Sequence, residues 1–214
     1  MFKYLKERKM KKYLFFMLAL GAMVCMFASC TQKPEKTIAN LKEGIKGETT
    51  ASTKYAAFAQ KAREEGNDTI AVLFDAASKA EAIHAANHTK VLEKLGEKME
   101  DFTPEFEVKT TAENLQAAIE GESYEETTMY PNFIKDAEAE KASDAVKSFT
   151  WATDTEKKHE AFYKNALAAL QIGNESTLPF GYEVCPVCGN TYEQGNVDEK
   201  CAFCATPRDK FEKI

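Results

Sequence analysis

The stretch "AEAIHAANH", residues 80–88, decides how the chain can fold, because it places an acid and an imidazole one helical turn apart. Glu81 and His84 share one stripe of a predicted helix with Phe74, at about 100° per residue. An exposed polar turn is enough to explain one such pair, since Glu and His are ordinary surface residues. The same pattern returns later in the chain, and the repetition favours a different interpretation.

An internal repeat relates the two halves of a long helical region. The stretch "NLKEGIKGE" at 40–48 returns as "NLQAAIEGE" at 114–122, an offset of 74. Three further positions return with an offset of 75, and they pair as Phe74 with Phe149, Glu81 with Glu156, and His84 with His159. The change in offset predicts one inserted residue between Glu122 and Tyr130.

Four amphipathic helices are predicted in this region. They cover 36–64, 67–95, 111–140 and 143–171. Short breaks join the first two and the last two, so each pair should form an antiparallel hairpin. The 14 residues of 97–110 can stretch ~46 Å at ~3.3 Å each, enough to run along a helix of about 28 residues. We therefore expect an all-α, ferritin-like four-helix bundle with a long lengthwise crossover.

The predicted apolar faces carry carboxylates at mid-helix. These are Glu48, Glu81, Glu122, Glu125 and Glu156. Burying each of them unpaired would cost on the order of several kcal/mol, and no lysine or arginine lies near them on these stripes. The carboxylates must therefore be protonated, paired or bound to cations.

A pair of metal ions satisfies all of these acids together. The ligand set of di-iron carboxylate bundles is one Glu from each of two helices and Glu-x-x-His from each of the other two. Here the single acids are Glu48 and Glu122, and the two motifs are Glu81 with His84 and Glu156 with His159. Such donors suit iron or manganese, and zinc can bind as well. Glu125, one turn after Glu122, can reach the same site, although its repeat position holds Ala51.

The C-terminal stretch has the spacing C-x2-C-x12-C-x2-C, which predicts a tetrathiolate metal site. Its members are Cys185, Cys188, Cys201 and Cys204. Two disulfides are the alternative in an exported protein, and a zinc ribbon has the same spacing as an iron site. The surrounding residues resemble rubredoxin, with Tyr182, Pro186, Gly189, Tyr192 and Phe211 around the cysteines. This part should form a small β-rich metal-knuckle domain.

The N-terminus has the layout of a secretory signal, with a basic head, an apolar run and "FASC" ending at Cys30. We expect lipidation at Cys30, export and anchoring to a bacterial membrane at the periplasmic face or cell envelope; an uncleaved membrane anchor is the alternative. Loss of 1–29 removes six basic residues and one acidic residue, which moves the net charge from −6 to −11. Such an acidic protein argues against a nucleic-acid partner.

These patterns divide the chain into five segments. They are a lipoprotein-type signal peptide at 1–29, a short tether at 30–35, the di-iron bundle at 36–172, a linker at 173–180 and the rubredoxin-like domain at 181–214.

Both modules in this order make the chain resemble the rubrerythrin family from residue 36 to residue 214. The matching motifs are "GE" at 47–48, "EAIH" at 81–84, "GESYEETTMYP" at 121–131, "EKKH" at 156–159 and the paired cysteine knuckles. The resemblance implies that Glu48, Glu81, His84, Glu122, Glu125, Glu156 and His159 are the di-iron ligands. It implies that His84 and Glu125 exchange with the redox state, and that Tyr55 and Tyr130 hydrogen-bond the ligand carboxylates.

The function that the resemblance implies is reduction of hydrogen peroxide to water, in oxidative-stress defence. A rubredoxin-like iron centre would supply the electrons, and the two centres would lie closest between the chains of a head-to-tail homodimer. The export signal departs from the family, so the electron donor stays unassigned. A ferroxidase that handles iron and a structural zinc-ribbon lipoprotein are the alternatives. His88 matches no family ligand, which favours a role beside the metal ligands or at the surface.

Overall fold

The computed structural model describes residues 33–214, and the predicted signal peptide and lipidated Cys30 lie outside this range. Five α-helices form the bundle: α1 (Glu35–Glu64), α2 (Asp68–Lys94), α3 (Thr111–Tyr124), α4 (Tyr130–Ala139) and α5 (Ser143–Gln171). Three of the four predicted helices begin and end within one residue of the observed bounds. Within the described range, none of the helices is both long and apolar enough to span a membrane.

The third predicted helix is interrupted by a π-helical turn at Glu125–Met129, between α3 and α4. A π turn closes its hydrogen bond over one more residue than an α turn, so it can absorb a single insertion without ending the helix. This turn falls in the interval where the offset of the repeat changes. The extra residue leaves Glu122 and Tyr130 facing the core, where their exposed fractions are 1% and 0%.

The first two helices form the expected antiparallel hairpin. Ser52 on α1 and Ser78 on α2 each donate a hydroxyl hydrogen bond to the other's carbonyl oxygen, at 2.8 and 2.7 Å. The turn between them ends on Gly66 with a φ of +82°, a conformation that glycine adopts without strain.

The connection from α2 to α3 has no helix or strand, and it runs along α1 as predicted. At one end of the connection, Glu97 pairs with Lys42 near the start of α1, at 3.6 Å. At its other end, the amide of Thr111 donates to Glu65, just past the end of α1, at 2.9 Å. These two contacts confirm the lengthwise crossover.

Two apolar clusters fill the bundle on either side of the mid-helix acids. One cluster centres on the rings of Tyr55, Phe58, Phe74 and Tyr163, and the other on Leu41, Tyr130, Phe133 and Phe149. Along every long helix, the acidic residues lie between members of these two clusters. The acids therefore lie in a layer that apolar packing closes on both sides.

The C-terminal part has three strands, β1 (Tyr182–Val184), β2 (Thr191–Glu193) and β3 (Glu212–Lys213). They form an antiparallel sheet in the order β2-β1-β3, and short 3-10 turns lie at Glu175–Thr177 and Arg208–Lys210. Tyr182 and Val184 belong to the first apolar cluster of the bundle. The sheet therefore packs on the helices, and 34–214 forms one compact unit.

Glu140 caps a helix far from it in sequence. The first turn of α1 has no cap from its own N-cap residue, and Glu140 accepts from the amide and hydroxyl of Thr37 at 2.8 and 2.7 Å. Burial would raise the pKa of Glu140, but the Thr37 donors outweigh it and lower the pKa. This interaction stabilises the fold above the ordinary pKa of the carboxyl and is lost as the pH falls through the lowered value.

We expect Glu140→Ala to reduce the free energy of unfolding at pH 7 by about 1 kcal/mol, the usual effect of losing a helix cap. Urea denaturation of the metal-loaded protein measures this change. Glu138→Ala, at an exposed position in the last turn of α4 and two residues before Glu140, is the matched control and should unfold like the wild type. Equal stability of the two variants would contradict the capping role.

Candidate metal centres

Six acid and imidazole side chains meet in the middle of the bundle, each at most 1% exposed. They form two overlapping groups of four, in which one ligand atom from each residue lies within 4.8 Å of the others. The first tetrad is Glu48, Glu81, His84 and Glu156, and the second is Glu81, Glu122, Glu156 and His159. Glu81 and Glu156 belong to both tetrads, so each is placed to bridge two ions.

The two tetrads follow directly from the repeat. Glu48 lies on α1, and its repeat equivalent Glu122 lies on α3. The Glu-x-x-His motifs lie on α2 and α5, where the i,i+3 spacing places both side chains on one helix face. The structure therefore brings together six of the seven residues that the sequence predicted as ligands of the two-metal site.

The imidazoles direct the same nitrogen into the site. His84 Nδ1 lies 2.9 Å from Glu81 Oε2 and 3.0 Å from Glu156 Oε1. His159 Nδ1 lies 3.0 Å from Glu81 Oε1 and from Glu156 Oε2. This arrangement repeats the acid-imidazole geometry on the two sides of the bridging carboxylates.

Several buried atoms of these side chains form no hydrogen bond of acceptable geometry, even where an acid and an imidazole lie 3.0 Å apart. Those directed into the site are Glu48 Oε2, Glu81 Oε1, both carboxylate oxygens of Glu156, and His159 Nδ1, and His84 Nε2 on the outer side of its ring also lacks one. Leaving a buried polar atom unsatisfied costs about 1–3 kcal/mol, and more for a charged group. Because the unpartnered atoms are oxygens and nitrogens within one cluster, cations among them would satisfy them together. The donor set therefore fits a pair of metal ions such as iron.

Two tyrosines hold the outer carboxylates. Tyr55 donates from its hydroxyl to Glu122 Oε1 at 2.8 Å, and Tyr130 donates to Glu48 Oε1. Burial raises the pKa of both phenols well above the ordinary value, with the Glu122 charge adding to the effect at Tyr55 and the Glu48 charge at Tyr130. Both phenols therefore keep their protons. These contacts are the ones that the family resemblance implied.

Glu125 lies in the π turn and belongs to neither tetrad. Its carboxyl is partly buried, and burial raises its pKa, with the Glu48 and Glu122 charges adding to the effect. The structure thus has His84 directed into the site and Glu125 beside it. The exchange of His84 and Glu125 that the resemblance implies stays a prediction.

His88 was predicted to lie either beside the metal ligands or at the surface. The surface alternative is wrong, because His88 is buried. Its exposed fraction is 0%, and its ring lies between Ser148 Oγ at 2.7 Å and the Tyr130 hydroxyl at 3.1 Å. Gly44 makes room for the ring, because a Cβ there would lie 3.1 Å from His88 Cδ2. His88 therefore supports the tyrosine that holds Glu48.

The four C-terminal cysteines converge on one point. The sulfurs of Cys185 and Cys204 are 3.4 Å apart, and those of Cys188 and Cys201 are 3.5 Å apart. All four thiols are free, and their sulfurs lie within 4.8 Å of one another. This geometry fits one tetrahedral ion and does not support the disulfide alternative.

The cysteine knuckles lie directly against the bundle site of the same chain. Gly189 has a φ of +81° and contacts His84 so closely that a Cβ would lie 2.3 Å from Nε2 of the imidazole. Thr191 donates its hydroxyl to the Gly189 carbonyl at 3.1 Å, and its oxygen lies 2.9 Å from His159 Nε2. The cysteine domain therefore contacts the candidate ligands of its own bundle without a second chain, and the head-to-tail dimer stays a prediction.

Motifs and periodicity do not predict these contacts. Thr191 and His159 are 32 residues apart and belong to different modules. Because the Thr191 hydroxyl donates its proton to Gly189, its oxygen accepts a hydrogen bond from His159 Nε2. The other ring nitrogen, Nδ1, then faces the acids. Such an outer hydrogen bond orients a metal-binding imidazole and fixes its tautomer.

Comparison with known proteins identifies the family. The rubrerythrin family model matches residues 39–167. Nigerythrin of Nitratidesulfovibrio vulgaris is 36% identical over 183 residues, which cover 82% of this chain and 85% of that protein. A rubrerythrin of Porphyromonas gingivalis is 32% identical, covering 85% of this chain and 92% of its own length. The chain belongs to the rubrerythrin family.

Solved structures confirm the predicted fold class. Nigerythrin in its fully reduced, all-ferrous state aligns with a TM-score of 0.74 at 34% identity, covering 83% of this chain and 86% of that one. A ferritin of Archaeoglobus fulgidus aligns with a TM-score of 0.57 at 17% identity, covering 67% of this chain and 88% of that one. The second likeness shows the ferritin-like fold alone. The tetrads and the cysteine cluster match the di-iron site and rubredoxin-like iron site of a rubrerythrin.

Metal loading of the bundle should release protons. In the metal-free protein, burial and the Glu81 charge raise the pKa of Glu48 to about 8. Burial would lower the pKa of His159, but the Glu81 and Glu156 carboxylates outweigh it and raise the pKa to about 10. Both groups therefore hold a proton at pH 7, and a metal ion must displace it.

We expect Zn²⁺, a redox-silent probe, to release protons at pH 7 from protein whose four-cysteine site is already filled. Affinity should fall with acidification, and the proton yield should fall as the pH rises past about 8 and Glu48 ionises. An indicator dye in weak buffer measures the yield. Stoichiometric binding at pH 7 with no proton release would contradict the assignment of these residues as ligands.

Proposed function

We propose that this protein is a non-haem di-iron peroxidase of the rubrerythrin family, which reduces hydrogen peroxide to water in oxidative-stress defence. The observation that carries the proposal is the contact of Gly189 and Thr191, the residues just after Cys188, with the imidazoles of His84 and His159. A metal site that only stores iron, or only stabilises the fold, does not need an electron-transfer centre in contact with its ligands. Similarity to nigerythrin, solved in an all-ferrous state, supports iron.

We assign the six residues of the two tetrads as di-iron ligands, with Glu125 as the ligand that exchanges with His84. The four cysteines hold the third iron. When bound, the iron pair supplies electrons to the peroxide bond and stabilises the charge that develops on its oxygens.

The side chains have separate tasks in this reaction. Glu81 and Glu156 would each bind both ions, because each belongs to both tetrads. Tyr55 and Tyr130 hold the outer carboxylates through their hydroxyl groups. The apolar clusters on either side exclude bulk water from the site. Conversion of one peroxide to two waters consumes protons, and Glu125 is a partly buried carboxyl whose raised pKa lets it carry one.

We also propose, from residues 1–30, that the protein is exported and anchored through a lipid on Cys30. The electron donor is then one that reaches the cell envelope. Mass spectrometry of the N-terminal peptide from its own host tests this assignment, and an unmodified Met1 would exclude it.

The function is tested by mixing reduced, iron-loaded protein with hydrogen peroxide and following oxidation optically. We expect Glu48→Ala to slow this reaction by on the order of 100-fold or more, because losing a ligand should cost at least as much as losing an outer hydrogen bond. Glu43→Ala removes an exposed acid from the same helix and should react like the wild type.

Equal rates in the Glu48→Ala variant and the wild type would remove the peroxidase proposal. Oxidation of many equivalents of added Fe(II) by oxygen, without turnover of peroxide, would favour the ferroxidase alternative instead.

A further inference from the structure

Lys158 is a bundle residue that reaches into the cysteine domain. It lies on α5 directly before His159, with its side chain partly buried. Its ammonium donates to Asn190 Oδ1 at 2.6 Å and to the carbonyl oxygen of Thr191 at 2.7 Å. The same ammonium lies 3.8 Å from the centroid of the Tyr192 ring, within the range of a cation-π interaction.

The contacts of Lys158 continue to a sulfur atom. Asn190 Nδ2 donates to the Tyr192 hydroxyl at 2.7 Å and lies 3.7 Å from Cys201 Sγ. The Tyr192 hydroxyl in turn donates to Cys201 Sγ at 3.6 Å. A cation on the bundle therefore binds the same amide and phenol that donate to one of the four thiolates. Hydrogen bonds of this kind become stronger when a nearby charge polarises them.

The interaction between Lys158 and the cysteine site depends on the redox state of the iron, because the charge of the site changes when it is reduced. A four-thiolate iron centre is anionic when ferric and gains one more negative charge when it is reduced by a one-electron donor. No bond forms or breaks in that step, and the electron stays on the iron. A nearby cation stabilises the more negative state more strongly, and hydrogen bonds to sulfur act in the same direction.

We propose that Lys158 is a positioning residue of the bundle that raises the reduction potential of the iron in the cysteine domain. The charge comes from the helix that carries His159, so the potential of the relay depends on the domain lying against the bundle. The relay accepts an electron more readily in the docked position, where it contacts the di-iron ligands. This inference rests on iron in the four-cysteine site, which is part of the proposed function, and not on the peroxidase activity.

The test is an equilibrium reductive titration of the full, iron-loaded chain, followed through the Fe(III)-thiolate absorption and without peroxide. Lys158→Met and Lys158→Gln should both shift the potential of the cysteine site to more negative values. Lys158→Arg should restore most of the shift, because it keeps the charge. Lys157→Met is the matched control, since the adjacent lysine is exposed and pairs with Asp154 at 3.1 Å.

Lys158→Gln separates the charge from the packing, and it serves in place of Lys158→Met if that variant fails to assemble the iron site. A wild-type potential in Lys158→Gln, or a shift no larger than that of Lys157→Met, would overturn the proposal. A negative shift in Lys158→Gln supports it even if the peroxidase proposal fails, because the potential is measured independently of turnover.

Discussion

The structure depends on one constraint: carboxylates and imidazoles buried between two apolar clusters must be neutralised. Within the described residues, no lysine or arginine forms an ion pair with the acids of the tetrads. The imidazoles provide some compensation, but both oxygens of Glu156 still lack hydrogen bonds. Two multivalent ions satisfy this set of atoms at once. The helices, the repeat and the tyrosines then act to hold the acids in place.

The cysteine domain is part of the environment of the acidic site. Gly189 lies against His84, and Thr191 forms the outer hydrogen bond of His159. Gly189 lies in the turn that follows Cys188, and Thr191 begins strand β2 just after it. Each imidazole therefore touches a residue within three positions of a metal-binding cysteine. A side chain in place of Gly189 would collide with His84, which explains glycine at this position beyond its positive φ. The two candidate centres are therefore built as one unit within the chain.

Much of this arrangement could be predicted from the sequence, because the repeat ties each ligand to a helix position. The helix bounds, the lengthwise crossover and six residues of the tetrads all follow from periodicity and spacing. The one extra residue before Tyr130 was predicted, but the π turn that accommodates it was not. Glu125 follows less directly, since the same spacing allows a position in the site or beside it.

The remaining features depend on contacts between segments distant in sequence. His88 is buried because Gly44 of another helix leaves room for its ring, and neither residue indicates this alone. The contacts of Thr191 with Lys158 and His159 were not predictable for the same reason. Periodicity identifies the face of a helix but not the domain that packs on it. Docking within one chain was not expected either, because the family resemblance implied contact between chains.

Iron-edge anomalous diffraction from crystals of the iron-loaded protein would show whether metal ions neutralise the buried acids. We expect two adjacent peaks between the helices, bridged by Glu81 and Glu156, and a third peak among the four cysteines. A map without peaks in the bundle, with these glutamates turned toward solvent, would contradict this expectation.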